Sequence, residues 1–400
     1  MRPALLLFVA LLRGLPLGAQ TGSTPDSVDR NLARLDSLYA GLPGWMGRLY
    51  DPRSGGFYAN RGMRERATQY GPDIQSSAMV LTILTDGGLN PESVPGPQRQ
   101  RFVRFFQQRQ DPRTGFFSDP DYPQTRASTR VLGRLLGFSQ TALSRFGAKP
   151  LYPLPGRQPN PEGLAHYRSA EALRQWLEAL PWSKSVWSAL DAVAAQKEIL
   201  KTLPPASRDG FVRQMYDYAL ARQDNDGLWG RGQPVLVRLS GTVKFSWFCR
   251  DFGLPLPHPD RIYRQVMAWY ESEPSTRADF QQDACFPGNA IRLLGELRVY
   301  LPQPFPEEDL RRVVGETYRM VRAFAAPDGG FARVVGRAFI RPDDLPSLGE
   351  FTEPMGDVNG TAQLVLARHW CYQLTGRPQP PLPRLGDFLN AVERSQPPTR

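Results

Sequence analysis

Apolar residues recur at spacings of three and four along twelve stretches of the chain, as they do in helices that bury one face. Six of them, 28–46, 98–108, 169–180, 207–221, 259–270 and 306–325, form one set. The other six, 72–85, 126–138, 185–200, 240–252, 283–300 and 357–374, are richer in small and apolar residues, as in "SSAMVLTIL" and "GTAQLVLA". Helices that are apolar nearly all round belong in an interior. The two sets alternate strictly, which predicts six helical hairpins, each with an outer and an inner member. No alternating strand series of useful length appears.

The connections repeat a signal of their own. "LYDPRSGGFYA" from Leu49, "QRQDPRTGFFS" from Gln108, "ARQDNDGLWG" from Ala221 and "FAAPDGGFAR" from Phe324 each place Asp, then Gly, then an aromatic after a helical stretch. The aromatics Phe57, Phe116, Trp229 and Phe331 are 59, 113 and 102 residues apart. The two longer gaps are near twice the first, so one degraded copy belongs in each, and the unit is about 50 to 60 residues. Glycine supplies the turn's backbone angles, Asp caps it, and the ring wedges between hairpins. Gly87-Gly88, Gly137, Gly253 and Gly376 follow second-set stretches, where a left-handed residue ends a helix. The fold expected is all-α, a single closed (α/α)6 toroid.

These turns resemble the repeats of the terpenoid cyclase and protein prenyltransferase superfamily, whose α/α toroids carry Q-x-x-D-G-x-W or G-G-F turns. The resemblance spans most of the chain through its four turns and implies the fold. It also implies where a prenyltransferase-like zinc would sit. Asp283 and Cys285 in "QQDACFPGNA" match the Asp-x-Cys pair, and Asp357 matches a later ligand. Gly360 stands where the family's histidine is expected, which removes one donor from a three-ligand site. The D-x-D-D motif of class II terpene cyclases and the G-C-G-E-Q thioester signature are absent from the sequence.

The first residues, "MRPALLLFVALLRGLPLGAQ", read as a secretory signal cut after Ala19. The expected organisation is a signal peptide at 1–19, the toroid domain at 20–385 and a C-terminal tail at 386–400. The expected location is secreted or periplasmic, with no membrane span. Cys249, Cys285 and Cys371 are an odd number and far apart, which argues against a disulfide framework but leaves one bridge open. No C-x-x-C or H-E-x-x-H spacing appears, and neither metal nor cofactor is expected. A net charge of +10 from dispersed arginines suits an anionic extracellular polysaccharide better than nucleic acid, although a merely solvated basic surface fits equally.

In a toroid of this kind the inner helices begin at one mouth, where distant segments converge. Asp73, Asp283 and Asp357 are the candidate acid and base residues there. Arg126, Arg130, Trp187, Lys244 and Asn359 are the candidate substrate contacts, beside Ser240 and Thr242. Carboxylates at helix starts also serve as caps, and Lys244 is either in the lumen or on the surface. His369 reads as a packed helix histidine and Cys285 as a small buried thiol. Two function classes remain open with these residues: a carbohydrate-active glycoside hydrolase or polysaccharide lyase, and a glycan- or peptide-binding toroid without turnover. A terpenoid or prenyl enzyme is the third.

Overall fold

A computed structural model of the chain describes residues 27–157, 164–272, 283–301, 303–336, 338 and 353–395. The stretch where a signal peptide is expected and the last five residues of the expected tail lie outside the described residues. Sixteen α-helices are described. In chain order they are α1 (Val28–Ser37), α2 (Leu42–Arg48), α3 (Arg61–Glu65), α4 (Ile74–Asp86), α5 (Gly96–Gln107), α6 (Thr129–Arg145), α7 (Ala170–Glu178) and α8 (Val186–Ala195). They continue with α9 (Lys197–Leu200), α10 (Pro205–Leu220), α11 (Val235–Asp251), α12 (Pro259–Glu271), α13 (Cys285–Leu297), α14 (Glu307–Ala323), α15 (Val358–Thr375) and α16 (Gly386–Arg394).

The alternation seen in the sequence becomes two concentric layers. Helices α4, α6, α8, α11, α13 and α15 each pack on the next, and α15 packs back on α4, so the inner ring is closed. Its members are apolar because they have protein on nearly every side: in α8 only Trp187 and Ser188 escape full burial. Outside them lie α1, α5, α7, α10, α12 and α14, and α14 packs on α1, α12, α13 and α15. The architecture is therefore an all-α (α/α)6 toroid. No helix among the described residues is long and apolar enough to cross a membrane.

The repeated turns do the joining. Isolated antiparallel bridges pair Tyr50 with Phe57, Gln110 with Phe117, Gln223 with Trp229 and Ala325 with Phe331. The second turn thus uses Phe117 where Phe116 was expected; Phe116 is buried beside it. Asp51, Asp111, Asp226 and Asp328 each accept a backbone N–H within their own turn. Gly227 takes φ +89°, a conformation that side chains resist. The Trp229 indole is fully buried, donates to Ala219 O at 2.7 Å and lies 5.0 Å from the Phe245 ring of α11. Phe57 meets Phe102 of the next hairpin and Phe331 meets Tyr39 beyond α1, as expected of wedges, whereas Trp229 packs within its own hairpin.

Several boundaries differ from the reading of the sequence. The first outer stretch splits into α1 and α2, because the chain turns through residues 38–41 and Pro43 restarts the helix. The stretch 185–200 breaks at Gln196 into α8 and α9. Gly137 is interior to α6, which runs on to Arg145. Helix α11 starts at Val235, so Ser240, Thr242 and Lys244 lie one to three turns inside it, not in its first turn. The stretch read as a tail carries α16, which packs on α2 and buries Phe388 against Phe57.

Candidate functional site

The three carboxylates expected at the mouth fall into two groups, and each is tied to a helix start. Asp73 is the N-cap of α4, accepting from Ser76 N at 2.7 Å, and is almost fully buried. Beside it, Asp119 accepts from Ile74 N at 3.1 Å and from Arg109 Nε at 3.1 Å. Burial, and then the charge of Asp73, push the Asp119 carboxyl up to about 7, against the pull of Arg109. Burial also raises Asp73, whose Oδ2 has no hydrogen-bond partner. This is a closed pair that favours holding a proton at neutral pH.

Asp283 and Asp357 meet through Arg333. The buried Arg333 guanidinium donates to Asp283 Oδ1 and, at 2.7 Å, to Asn359 Oδ1. Its backbone N–H donates to Asp357 Oδ2 at 2.6 Å, while Asp357 Oδ1 caps α15 at Gly360 N, 2.7 Å away. Asp283 also accepts from Cys285 N at 2.8 Å, and its side chain is 23% exposed. The capping role weighed for these residues is thus realised at Asp73 and Asp357, whereas Asp283 lies one residue before the N-cap of α13 and accepts the Cys285 N–H. Around them Tyr58, Met63, Tyr122, Ala338 and Met355 form a small second core over this end of the barrel.

Gly360 settles the zinc resemblance on steric grounds. A Cβ there would lie 2.4 Å from Arg333 N and 2.6 Å from Ala332 C, so a histidine has no room. Among the described residues no group of three or more His, Cys, Asp or Glu side chains is placed to hold a metal.

The open space lies elsewhere along the axis. A cavity of about 450 Å³ is lined by residues of all six inner helices. It runs from Arg134, Asp191 and Lys244 near mid-barrel to Asp86, Glu198, His369 and Gln379 at the C-terminal ends. None of Asp73, Asp283 and Asp357 lines it. At its inner end Asp191, on α8, is surrounded by cations. Arg130 Nη1 is 2.5 Å from Oδ2, Arg134 Nη1 3.7 Å from Oδ2 and Lys244 Nζ 3.1 Å from Oδ1. Burial opposes ionisation of Asp191, but Lys244, Arg134 and Arg130 outweigh it and hold the carboxyl well below its ordinary range.

Aromatic side chains complete the wall. Lys244 Nζ lies 4.2 Å and the Arg292 guanidinium carbon 3.7 Å from the centre of the Trp247 ring. Phe138 and Trp370 also face the cavity, and His369 Nδ1 is 2.8 Å from Gln379 Oε1. Trp187 of α8 stands 6.3 Å from the Phe286 ring of α13.

Of the five expected contacts, Arg130 and Lys244 therefore converge on one carboxylate. Trp187 lies one turn from that carboxylate on the same helix, and Asn359 is bound to Arg333. Arg126 lies in a short 3-10 turn, is exposed, and donates to Ser118 Oγ at 3.0 Å. Asp191, Arg134, Trp247 and Arg292 were missed. A signal for one of them was present: Asp191 is the sole charge in "SVWSALDAVAAQ", and a lone acid in a buried helix must be paired or used.

No family model matches the chain, and no curated protein matches it. Among solved structures, an inactive variant of the alpha-1,6-mannanase GH76A of Salegentibacter sp. HEL1_6 in complex with alpha-1,6-mannotetrose overlaps 85% of this chain and 99% of its own, at 11% identity and a TM-score of 0.43. A second inactive variant of that mannanase, in complex with alpha-1,6-mannotriose, gives the same coverage and identity with a TM-score of 0.44.

Proposed function

We propose that the protein is an exported carbohydrate-active enzyme, a glycoside hydrolase or polysaccharide lyase, whose saccharide enters the central cavity. The observation that carries this reading is the cavity itself: a concave space within the size range of small-molecule sites, about 300–1,000 Å³, with aromatic faces and a buried charged cluster at its inner end. Sugars present apolar ring faces and many hydroxyls, and both find partners there.

The chemistry available to each residue follows from its surroundings. Asp191 is held as the anion by three cations, which leaves it an acceptor for a sugar hydroxyl and rules it out as the proton donor. A hydrolase needs a second carboxyl to protonate the leaving oxygen, and Glu198 and Asp86 are the other acids in the cavity wall. A lyase needs cations to neutralise a uronate and a base beside them; Lys244 and Arg292 supply the first, and His369 is the histidine in the wall. Of the three mouth carboxylates, Asp283 is the one with exposed surface and is retained as a candidate at the opposite entrance.

The test is incubation of purified protein with neutral and acidic oligosaccharides, reading new reducing ends and the ultraviolet absorbance of unsaturated product. Turnover by the wild type, lost in Glu198→Gln or His369→Ala and kept in Asp283→Asn, supports a site in the cavity. Loss in Asp283→Asn alone moves the site to the mouth, and no turnover on any substrate overturns the enzyme.

A second reading, a glycan-binding toroid without turnover, rests on one observation. Asp191 is neutralised by three cations, Asp73 Oδ1 is used as a helix cap, and Asp357 is engaged through both oxygens as a cap and with Arg333. Saccharide affinity without product favours it.

A further inference from the structure

The cavity wall is electrically one-sided at Lys244 and Arg292. Lys244 has Asp191 as its carboxylate partner, and Asp191 is shared with Arg130 and Arg134. Arg292 has Glu296 at 3.8 Å, yet Arg250 Nη1 holds the same oxygen at 2.5 Å. Lys244 thus shares its carboxylate with two arginines, Arg292 shares Glu296 with Arg250 and has Asp251 further off, and both cations sit beside the same indole, Trp247. A ring face offsets part of the cost of burying them, but it accepts no hydrogen bond of ordinary strength.

The remaining polar atoms point the same way. Among the described residues that line the cavity, the buried side-chain polar atoms without a hydrogen-bond partner are Trp247 Nε1, Arg292 Nε, Arg368 Nη1 and Trp370 Nε1; Arg292 Nε keeps its ion pair with Glu296, and the rest of the Arg368 guanidinium is held by Asp36 and Pro380 O. All four are N–H donors, and no orphaned acceptor lies among them. Like charges in a low-dielectric wall repel, but burial is the larger effect on both cations. Lys244 is lowered from its usual range by burial first, although Asp191 pulls it back. Arg292 is lowered to about 10, again chiefly by burial. A negative charge placed between Lys244 and Arg292 offsets the burial of both cations.

We infer that the cavity takes an acidic saccharide, with the carboxylate or sulfate of one sugar held between Lys244 and Arg292 beside Trp247. This rests on the cavity being the saccharide site and adds the class of sugar. The cation pair reads the charge, and the faces of Phe138 and Trp370 carry the sugar rings next to it. A neutral sugar leaves the two cations as they are, whereas an acidic one gains charge-assisted hydrogen bonds in a site already shielded from water.

The experiment is calorimetric titration of the full chain with a uronic acid trisaccharide, a sulfated trisaccharide and a neutral trisaccharide, at low and at physiological salt. The acidic sugars are expected to bind about tenfold or more tighter than the neutral one, a gap of about 1.4 kcal/mol. Lys244→Gln and Arg292→Gln should each close most of that gap, and Lys244→Arg should restore it. Sodium acetate and sodium sulfate alone should bind far more weakly than the matching sugars. Equal binding of acidic and neutral sugars, or a gap unchanged in both glutamine variants, overturns the inference while leaving the cavity a saccharide site. Failure of all three sugars, or acetate and sulfate binding as tightly as they do, overturns both. If either glutamine variant does not fold, the wild-type comparison of the three sugars still decides the matter.

Discussion

Lys244 Nζ of α11 lies 3.1 Å from Asp191 Oδ1 of α8, and this contact ties two neighbouring staves of the inner ring at mid-barrel. The same carboxylate also holds Arg130 of α6. Three inner helices therefore meet on one side chain that is only 7% exposed.

Removing that carboxylate should be costly. Asp191→Asn leaves Arg130, Arg134 and Lys244 facing one another with no anion between them. Breaking a buried ion pair from one side costs about 3–5 kcal/mol, and a loss in that range is expected by urea denaturation. A variant as stable as the wild type would show that the cluster is already hydrated and compensated by solvent.

A side chain at position 360 should not be tolerated. Gly360→Ala places a methyl 2.4 Å from the Arg333 backbone nitrogen, which is held by Asp357 while the side chain of the same residue is held by Asp283, so it cannot retreat. Overpacking of this kind costs about 1–3 kcal/mol, so the thermal midpoint should fall by several degrees. No drop would mean that the chain around Arg333 moves aside freely.

The Trp229 ring makes a sharper test of the repeat. Trp229→Ala removes a fully buried indole and its bond to Ala219 O. Large-to-small changes of buried aromatics cost about 3–5 kcal/mol. Chemical denaturation should show a loss of that size, against well under 1 kcal/mol at an exposed residue such as Val299.

Stability should also depend on pH through Asp119. Its carboxyl titrates near 7 in the folded protein and near about 4 when unfolded. Between those values the native state binds the extra proton, so stability from this group is full below about pH 4 and falls as pH rises towards 7. Each tenfold change in ionisation constant is worth about 1.4 kcal/mol. Burial lowers His166, which works in the opposite direction over part of the range. The informative quantity is therefore the difference between wild type and Asp119→Asn across pH 4.5–8. A difference that stays flat with pH excludes a raised Asp119.

Thiol chemistry gives the last check. No disulfide joins Cys249, Cys285 and Cys371, all three are buried, and burial pushes Cys371 up to about 12. The native protein should not react with a thiol reagent in the time the unfolded chain takes to react fully at three sites. Fewer than three thiols after unfolding without reductant would reveal a disulfide.

Much of the architecture could be read before any coordinates. The alternation of amphipathic and apolar stretches is enforced by burial, and burial in a two-layer ring is periodic in sequence. The four Asp-Gly-aromatic turns could be read for the same local reason, since each turn is built from its own consecutive residues. The break at Gln196 and the early start of α11 could not, because neighbouring hairpins decide where a helix can continue.

The candidate site was legible only in fragments. Arg130 and Lys244 were picked out as charges on apolar helices, but the residue that joins them, Asp191, was not. Asp73 and Asp357 were picked out by their places at helix starts, and those places proved to be cap positions. Composition and spacing can show that a charge is in an unusual place, but not which end of a barrel is open.

By itself, then, the order of residues determined the helices, their two roles and the turns that join them, because periodicity, propensity and capping act over a few residues. The closure of α15 onto α4, the convergence of Arg130, Asp191 and Lys244 from three helices, and the position of the cavity were decided only by the folded chain. Those depend on contacts between segments tens to hundreds of residues apart, and the direction of each side chain across the lumen is set by the packing of helices around it.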